Sequence, residues 1–91
     1  MWIIQYTKKA ARQAEKLPKG VRETLDALVR EMELLGPVRG AWPHYGKLKS
    51  TIHHCHLKRG HPTYVAVWQE VSGTIQLIRI IYAGTHEKAP Y

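Results

Sequence analysis

At 91 residues, 44% of them hydrophobic and 23% charged, the chain can form one small core, which excludes both a second domain and wholesale disorder. No apolar run approaches the ~20 residues of a membrane span, the opening MWIIQYTKK has the wrong charge order for an export signal, and the lone Cys55 excludes an internal disulfide, so a cytoplasmic protein with no membrane association is expected. Fourteen Lys and Arg against seven Asp and Glu leave a formal charge of +7, which favours a polyanionic partner.

Residues 2–6, Trp-Ile-Ile-Gln-Tyr, are β-branched and aromatic and predict a short strand. Thr7 is a helix cap for residues 8–17, where Ala10, Ala11, Ala14 and Leu17 share one narrow face. Pro18 and Gly20 punctuate a hairpin into a second helix. Across residues 18–35, Val21, Leu25, Leu28, Met32 and Leu35 recur at helical spacing, and Gly36-Pro37 stops the helix. Residues 37–50 read as a structured loop, with Trp42 and Tyr45 among prolines and glycines. Residues 51–58 alternate, placing Ile52, His54, His56 and Lys58 on one face and His53, Cys55 and Leu57 on the other. Residues 63–71 and 74–82 complete a three-strand antiparallel meander, the last strand apolar on both faces as a central strand requires. The expected fold is α+β: an N-terminal strand and an α-helical hairpin packed on a mostly antiparallel sheet of about four strands, the whole of 1–91 forming one domain, with the first strand at an edge.

The charge is concentrated. Residues 36–69 carry Arg39, Lys47, Lys49, Lys58 and Arg59, no acid, and five of the six histidines, interleaved with Trp42, Tyr45, Tyr64 and Trp68. Cations among aromatics suit nucleic acid better than a membrane surface, because the cations displace phosphate counterions while the rings stack on bases. Lys8-Lys9 and Arg12 on the first helix add weakly to this field. His54 and His56 share a strand face, where they can act as acid–base groups, as contacts to nucleic acid, or as two ligands of a metal needing a third donor from His61, His86 or Glu87. His86 follows the last strand through Gly84, a place that a sheet holds rigid beside solvent. His44 and His61 lie in loops without a comparable signal, and Cys55 is expected in the core beside Leu57.

Leu35-Gly36-Pro37, Gly46-Lys47-Leu48-Lys49, His54-Cys55-His56-Leu57-Lys58, Tyr64-Val65-Ala66-Val67-Trp68 and Tyr82-Ala83-Gly84-Thr85-His86 together resemble the RelE/ParE superfamily of bacterial type II toxins over the whole length. The Cys-His strand and the Gly-Thr-His ending are most similar to its YafQ-like branch. That resemblance implies a metal-independent endoribonuclease, without a cofactor, that cleaves mRNA on the ribosome, inhibits translation and is neutralised by a cognate antitoxin. It places His86 and His56 at the family's histidine positions and Tyr91 near that of a terminal aromatic. One departure stands out: Tyr82 occupies the position of an arginine credited with stabilising the transition state, so Arg79, Arg59, Lys58, Lys49 or Lys47 would have to supply that charge. The expected catalytic set is therefore His56 and His86, with His54 and Tyr91 beside them, and Lys47, Lys49, Lys58, Arg59 and Arg79 hold RNA. The competing readings are a ParE-like gyrase poison, a non-catalytic RNA-binding module and a metal-binding domain.

Overall fold

A computed structural model describes residues 1–73 and 76–91. The elements run β1 (Ile3–Tyr6), α1 (Lys8–Glu15), α2 (Lys19–Leu35), β2 (Gly46–Lys49), β3 (Ile52–Lys58), β4 (Tyr64–Val71) and β5 (Leu77–Thr85), followed by a 3₁₀ turn at His86–Lys88. One sheet has the order β1-β5-β4-β3-β2. Its pairings are antiparallel except that between β1 and β5, which is parallel. The α+β expectation holds, and β1 does lie at an edge. The sheet, however, has five strands where about four were expected. Gly46–Lys49, expected within a loop, pairs with β3 through Gly46↔His54 and Lys47↔His53. Four residues beside a β-bulge have little strand signal of their own; their partner imposes the conformation. The last strand also runs three residues further than 74–82, to Thr85, and residues 74 and 75 of that expected span lie outside the described residues.

The helices form as their sequence dictates. Thr7 Oγ1 accepts a 3.0 Å hydrogen bond from the Ala10 N–H, capping α1, whose buried Ala10 and Ala14 allow close approach to the sheet. Val21, Leu25, Leu28 and Met32 form the buried stripe of α2. Both stripes pack on the inward residues of the sheet: Cys55 and Leu57 from β3, Ala66 and Trp68 from β4, and Ile78, Ile80 and Ala83 from β5. The opposite face has a smaller cluster, Val65, Val67 and Tyr82, flanked by Leu48, Ile52, Ile81 and Ala89. Thus the helices cover one face, while the C-terminal tail brings Ala89 onto the other.

Two contacts fix how the chain leaves α2 for the site. Gly36 has φ of 90°, its N–H donates to Met32 O at 2.9 Å, and a Cβ there would meet Trp2 Nε1 at 3.0 Å. Pro37 O then accepts from Trp68 Nε1 at 2.9 Å, in the core. Glycine is required at position 36 both by its backbone and by the indole against it. Gly36→Ala is expected to destabilise the fold by about 1–3 kcal/mol, as strain adds to crowding; urea unfolding measures it, and an unchanged midpoint would show that both Trp2 and the turn relax freely.

Candidate active site

Alternation along β3 separates its three histidines. His53 points to the helices, is buried against Trp68 with ring centroids 5.9 Å apart and planes 4° from parallel, and shares a 2.7 Å hydrogen bond between its Nδ1 and the Tyr45 hydroxyl. Cys55, inward as expected, is fully buried, and desolvation pushes its thiol up to about 12, so it is inert at neutral pH. His54 and His56 point to the other face.

Four histidines and a tyrosine gather there. His44 stacks on His56, centroids 4.2 Å apart and planes at 21°. His56 also meets His86 edge-on, at 5.7 Å. His86 in turn contacts Tyr91 at 5.7 Å, and Tyr91 covers His54 at 4.9 Å. His44 is the member that sequence reasoning passed over. Its ring is aimed by a left-handed backbone, φ 53°, and by a loop held at three points. Glu31 Oε1 on α2 accepts from Arg39 Nη1 at 2.6 Å and from Trp42 Nε1 at 3.0 Å, and the His56 N–H donates to Pro43 O at 2.8 Å. The only sequence signal for His44 was its place among Pro43, Tyr45 and Gly46, and the loop's path depends on Glu31, thirteen residues earlier. His86 is pinned by its N–H, which donates to Thr63 O at 2.8 Å just beyond the end of β5. Gly46 makes room for His54: a Cβ there would lie 3.2 Å from its Nε2.

A cleft of about 430 Å³ opens between His56, His86 and Glu87 on one side and the turn of Gly60, His61, Pro62 and Thr63 on the other. Lys58 and Arg59 are exposed on the strand end that leads into this turn. Desolvation lowers the His56 pKa below the ordinary histidine value, and the charges of His44, His86, His54 and Arg59 lower it further. Desolvation does the same to His54, aided by His86 and His44. The Nδ1 atoms of both rings are buried without a hydrogen-bond partner among the described residues. His56 and His54 are therefore held neutral near pH 7, the form that accepts a proton.

The expected cations divide. Arg59 acts electrostatically on His56, whereas Lys47 pairs in register with His53 and shares the helix-facing side of the edge strand with it. Lys49 is exposed at the far end of β2, opposite Ile52. Arg79 pairs with Gln69, four residues along β4 from the Val65 that faces His56, so by strand spacing it sits roughly 16 Å from the His56 backbone and does not join the cluster. Tyr82 is 7% exposed, and its hydroxyl donates to Thr85 O at 2.6 Å. Among the described residues, no three His, Cys, Asp or Glu side chains converge as metal ligands, and no helix is long and apolar enough to cross a membrane.

This architecture has solved counterparts. The free Escherichia coli RelE toxin superposes with a TM-score of 0.68 at 22% identity, covering 99% of this chain and 89% of that one. The toxin–antitoxin complex RelBE of E. coli gives 0.71 at 19% identity over 97% of this chain and 100% of its counterpart. The archaeal RelE–RelB complex of Pyrococcus horikoshii gives 0.67 at 13% identity, with 97% and 98% covered. No family model and no curated sequence matches. The chain has the RelE fold, so the topology expected from the sequence resemblance is present.

Because His54 and His56 are easier to protonate in the unfolded chain, their neutral burial stabilises the fold fully above about pH 6.5, and that contribution is lost as pH falls from there through their depressed folded values. Melting temperature is expected to drop between about pH 7.5 and about pH 5 and to drop less in His54→Gln/His56→Gln. Parallel pH profiles for the two proteins would show that these rings do not carry the effect.

Proposed function

We propose that this chain is the toxin of a type II toxin–antitoxin system: a metal-independent endoribonuclease that cleaves mRNA at the ribosome in the cytoplasm, inhibits translation, and is restrained by an antitoxin. The observation that carries this reading is the meeting of His56 and His86, from separate stretches of chain, at one cleft, with Lys58 and Arg59 exposed on the segment that leads into its turn. The RelE fold, found both in free toxins and in toxin–antitoxin complexes, supports the toxin class and its antitoxin partner.

Cleavage of RNA without an external nucleophile needs three things: a base for the 2′-hydroxyl, an acid for the departing 5′-oxygen, and positive charge over the phosphorane. His56 has the neutral imidazole that a base requires. It takes the 2′-hydroxyl proton as O2′ bonds to phosphorus, and His86, edge-on beside it, protonates O5′ as the P–O5′ bond breaks. The products are a 2′,3′-cyclic phosphate and a 5′-hydroxyl. His44 stacks behind His56 and fixes its ring plane. Arg59 is the cation whose field reaches His56, so it is the first candidate to face the phosphate, followed by Lys58; Lys49 and Arg79 lie further out and would hold the strand away from the reacting bond, while Lys47 faces the helix side with His53. Tyr91, 45% exposed and seated on His54, offers a stacking surface for a base.

Induced expression in bacteria, followed by primer extension on a defined transcript, is expected to give growth arrest with cuts inside translated codons. His56→Ala and His86→Ala are each expected to reduce cleavage at least about tenfold while the fold survives. His44→Asn, which keeps a residue tolerant of the left-handed backbone, is expected to reduce it less. The acid limb of the pH–rate profile is expected below the ordinary histidine value, because His56 is depressed. Wild-type cleavage by either alanine variant removes that histidine from the mechanism. Filamentous cells with intact transcripts would replace the nuclease by a gyrase poison acting through protein contact.

A further inference from the structure

A second concavity, about 650 Å³, lies between α1 and the C-terminal half of β5. It exists because β1 stops early: the last bond on that side runs from the Thr7 N–H to Ile80 O at 3.0 Å, and beyond it β5 continues for five more residues with β4 on one edge and no strand on the other. Leu17, Tyr64 and Ile81 give the hollow an apolar floor. Lys9 of α1, Lys16 at the C-terminal cap of that helix and Lys88 of the tail stand around it. Lys9 and Lys16 are seven residues apart, so they lie on one side of the helix, about 10.5 Å apart along its axis. Among the described residues, the only acid lining the hollow is Glu87, which also lines the histidine cleft. The two depressions are therefore neighbours separated by the His86–Lys88 turn.

An aromatic and aliphatic floor under a row of cations is the chemistry of single-stranded nucleic acid binding, in which bases stack and phosphates are tracked. A peptide adding a strand to the open edge of β5 would need that edge's backbone groups. Two are already used: Gln13 Oε1 accepts from the Ala83 N–H at 3.1 Å, and Thr85 O accepts from the Tyr82 hydroxyl. We propose that this lysine-lined groove holds the nucleotides that flank the scissile phosphate of the RNA substrate, with backbone phosphates on Lys9 and Lys16 and a base against Tyr64. The assignment rests on the ribonuclease reading of the histidine cleft and extends the substrate-binding surface onto α1.

The test uses a labelled 2′-O-methyl oligoribonucleotide, which cannot be cleaved, so binding is measured apart from chemistry. Its affinity for the full chain is followed by anisotropy over a range of salt concentrations. Lys9→Ala/Lys16→Ala removes two exposed charges and is expected to lower the slope of log affinity against log salt by about 1.4, at about 0.7 per single-strand phosphate contact. Lys19→Ala, whose charge lies outside the groove, is expected to leave the slope unchanged. A wild-type slope in the double variant overturns the assignment, as does an equal loss per charge in Lys19→Ala, which would mark a diffuse field. If a protein partner loses affinity for the double variant while the RNA slope is intact, the groove belongs to a peptide and the proposal fails. The two readings separate cleanly. Lysine-dependent binding without cleavage would sink the nuclease and leave the groove standing, and cleavage with an unaltered slope would do the reverse.

Discussion

The register of β3 against β4 is the constraint on which the site depends. Side chains alternate along a strand, so a slip of one residue would turn His54 and His56 into the core and expose Cys55 and Leu57. The register is held from the helix side. Trp68, the largest fully buried side chain, stacks on His53 across the strand pair, and its indole N–H is tied to Pro37 O at the end of α2. The same inward packing that buries Trp68 therefore delivers two imidazoles to the opposite face. Core and site are two sides of one strand, and a core substitution that loosened Trp68 would disturb chemistry on a face it never touches.

What the outward face assembles is electrostatically unfavourable by design of its parts. His54 and His56 are crowded by His44 and His86, and desolvation first, then the charges of those neighbours, joined at His56 by Arg59, oppose protonation of both rings. Neutral rings can stack, which is what His44 and His56 do. The loop that brings His44 into this group is hooked to α2 by Glu31, whose carboxyl is held below the usual range first by its hydrogen bond from Arg39 and then by that from Trp42. Arg39, counted among the cations of the basic segment, is thus engaged in holding the loop.

The parts of the fold legible in the sequence were those governed by local periodicity. The α2 stripe, the Thr7 cap, the Gly36 stop and the two faces of β3 follow from spacings within a few residues, and they appear as expected except that Leu35, the last residue of the expected stripe, is exposed at the helix end. The features not legible depend on distant partners. β2 is a strand because β3 lies beside it, and the parallel neighbour of β1 is seventy-odd residues away in β5. Lys47 and Arg79 looked equivalent to Arg59 by charge alone, but pairing with His53 and Gln69 sends them elsewhere. His44 carried no signal because its role comes from a ring that meets it across twelve residues of chain.

Tyr82 gives the departure from the resembled pattern a structural reason. An arginine at that position would have to project its charge into the small apolar cluster of Val65, Val67 and Ala89, where an unpaired guanidinium is costly. Tyrosine fits there because its ring is apolar and its one polar atom is satisfied by Thr85 O. The hydroxyl also crosses Gly84 so closely that a Cβ there would lie 2.8 Å from it, which locks the strand end that leads to His86. Burial raises the Tyr82 pKa, so its phenol stays neutral and supplies no charge to a phosphate. Position 82 thus supports the tail, and under the proposed reading the cation facing a phosphorane has to come from another part of the chain. Arg59 satisfies that requirement best: it follows His56 by three residues, it is exposed, and its field is felt at the His56 ring.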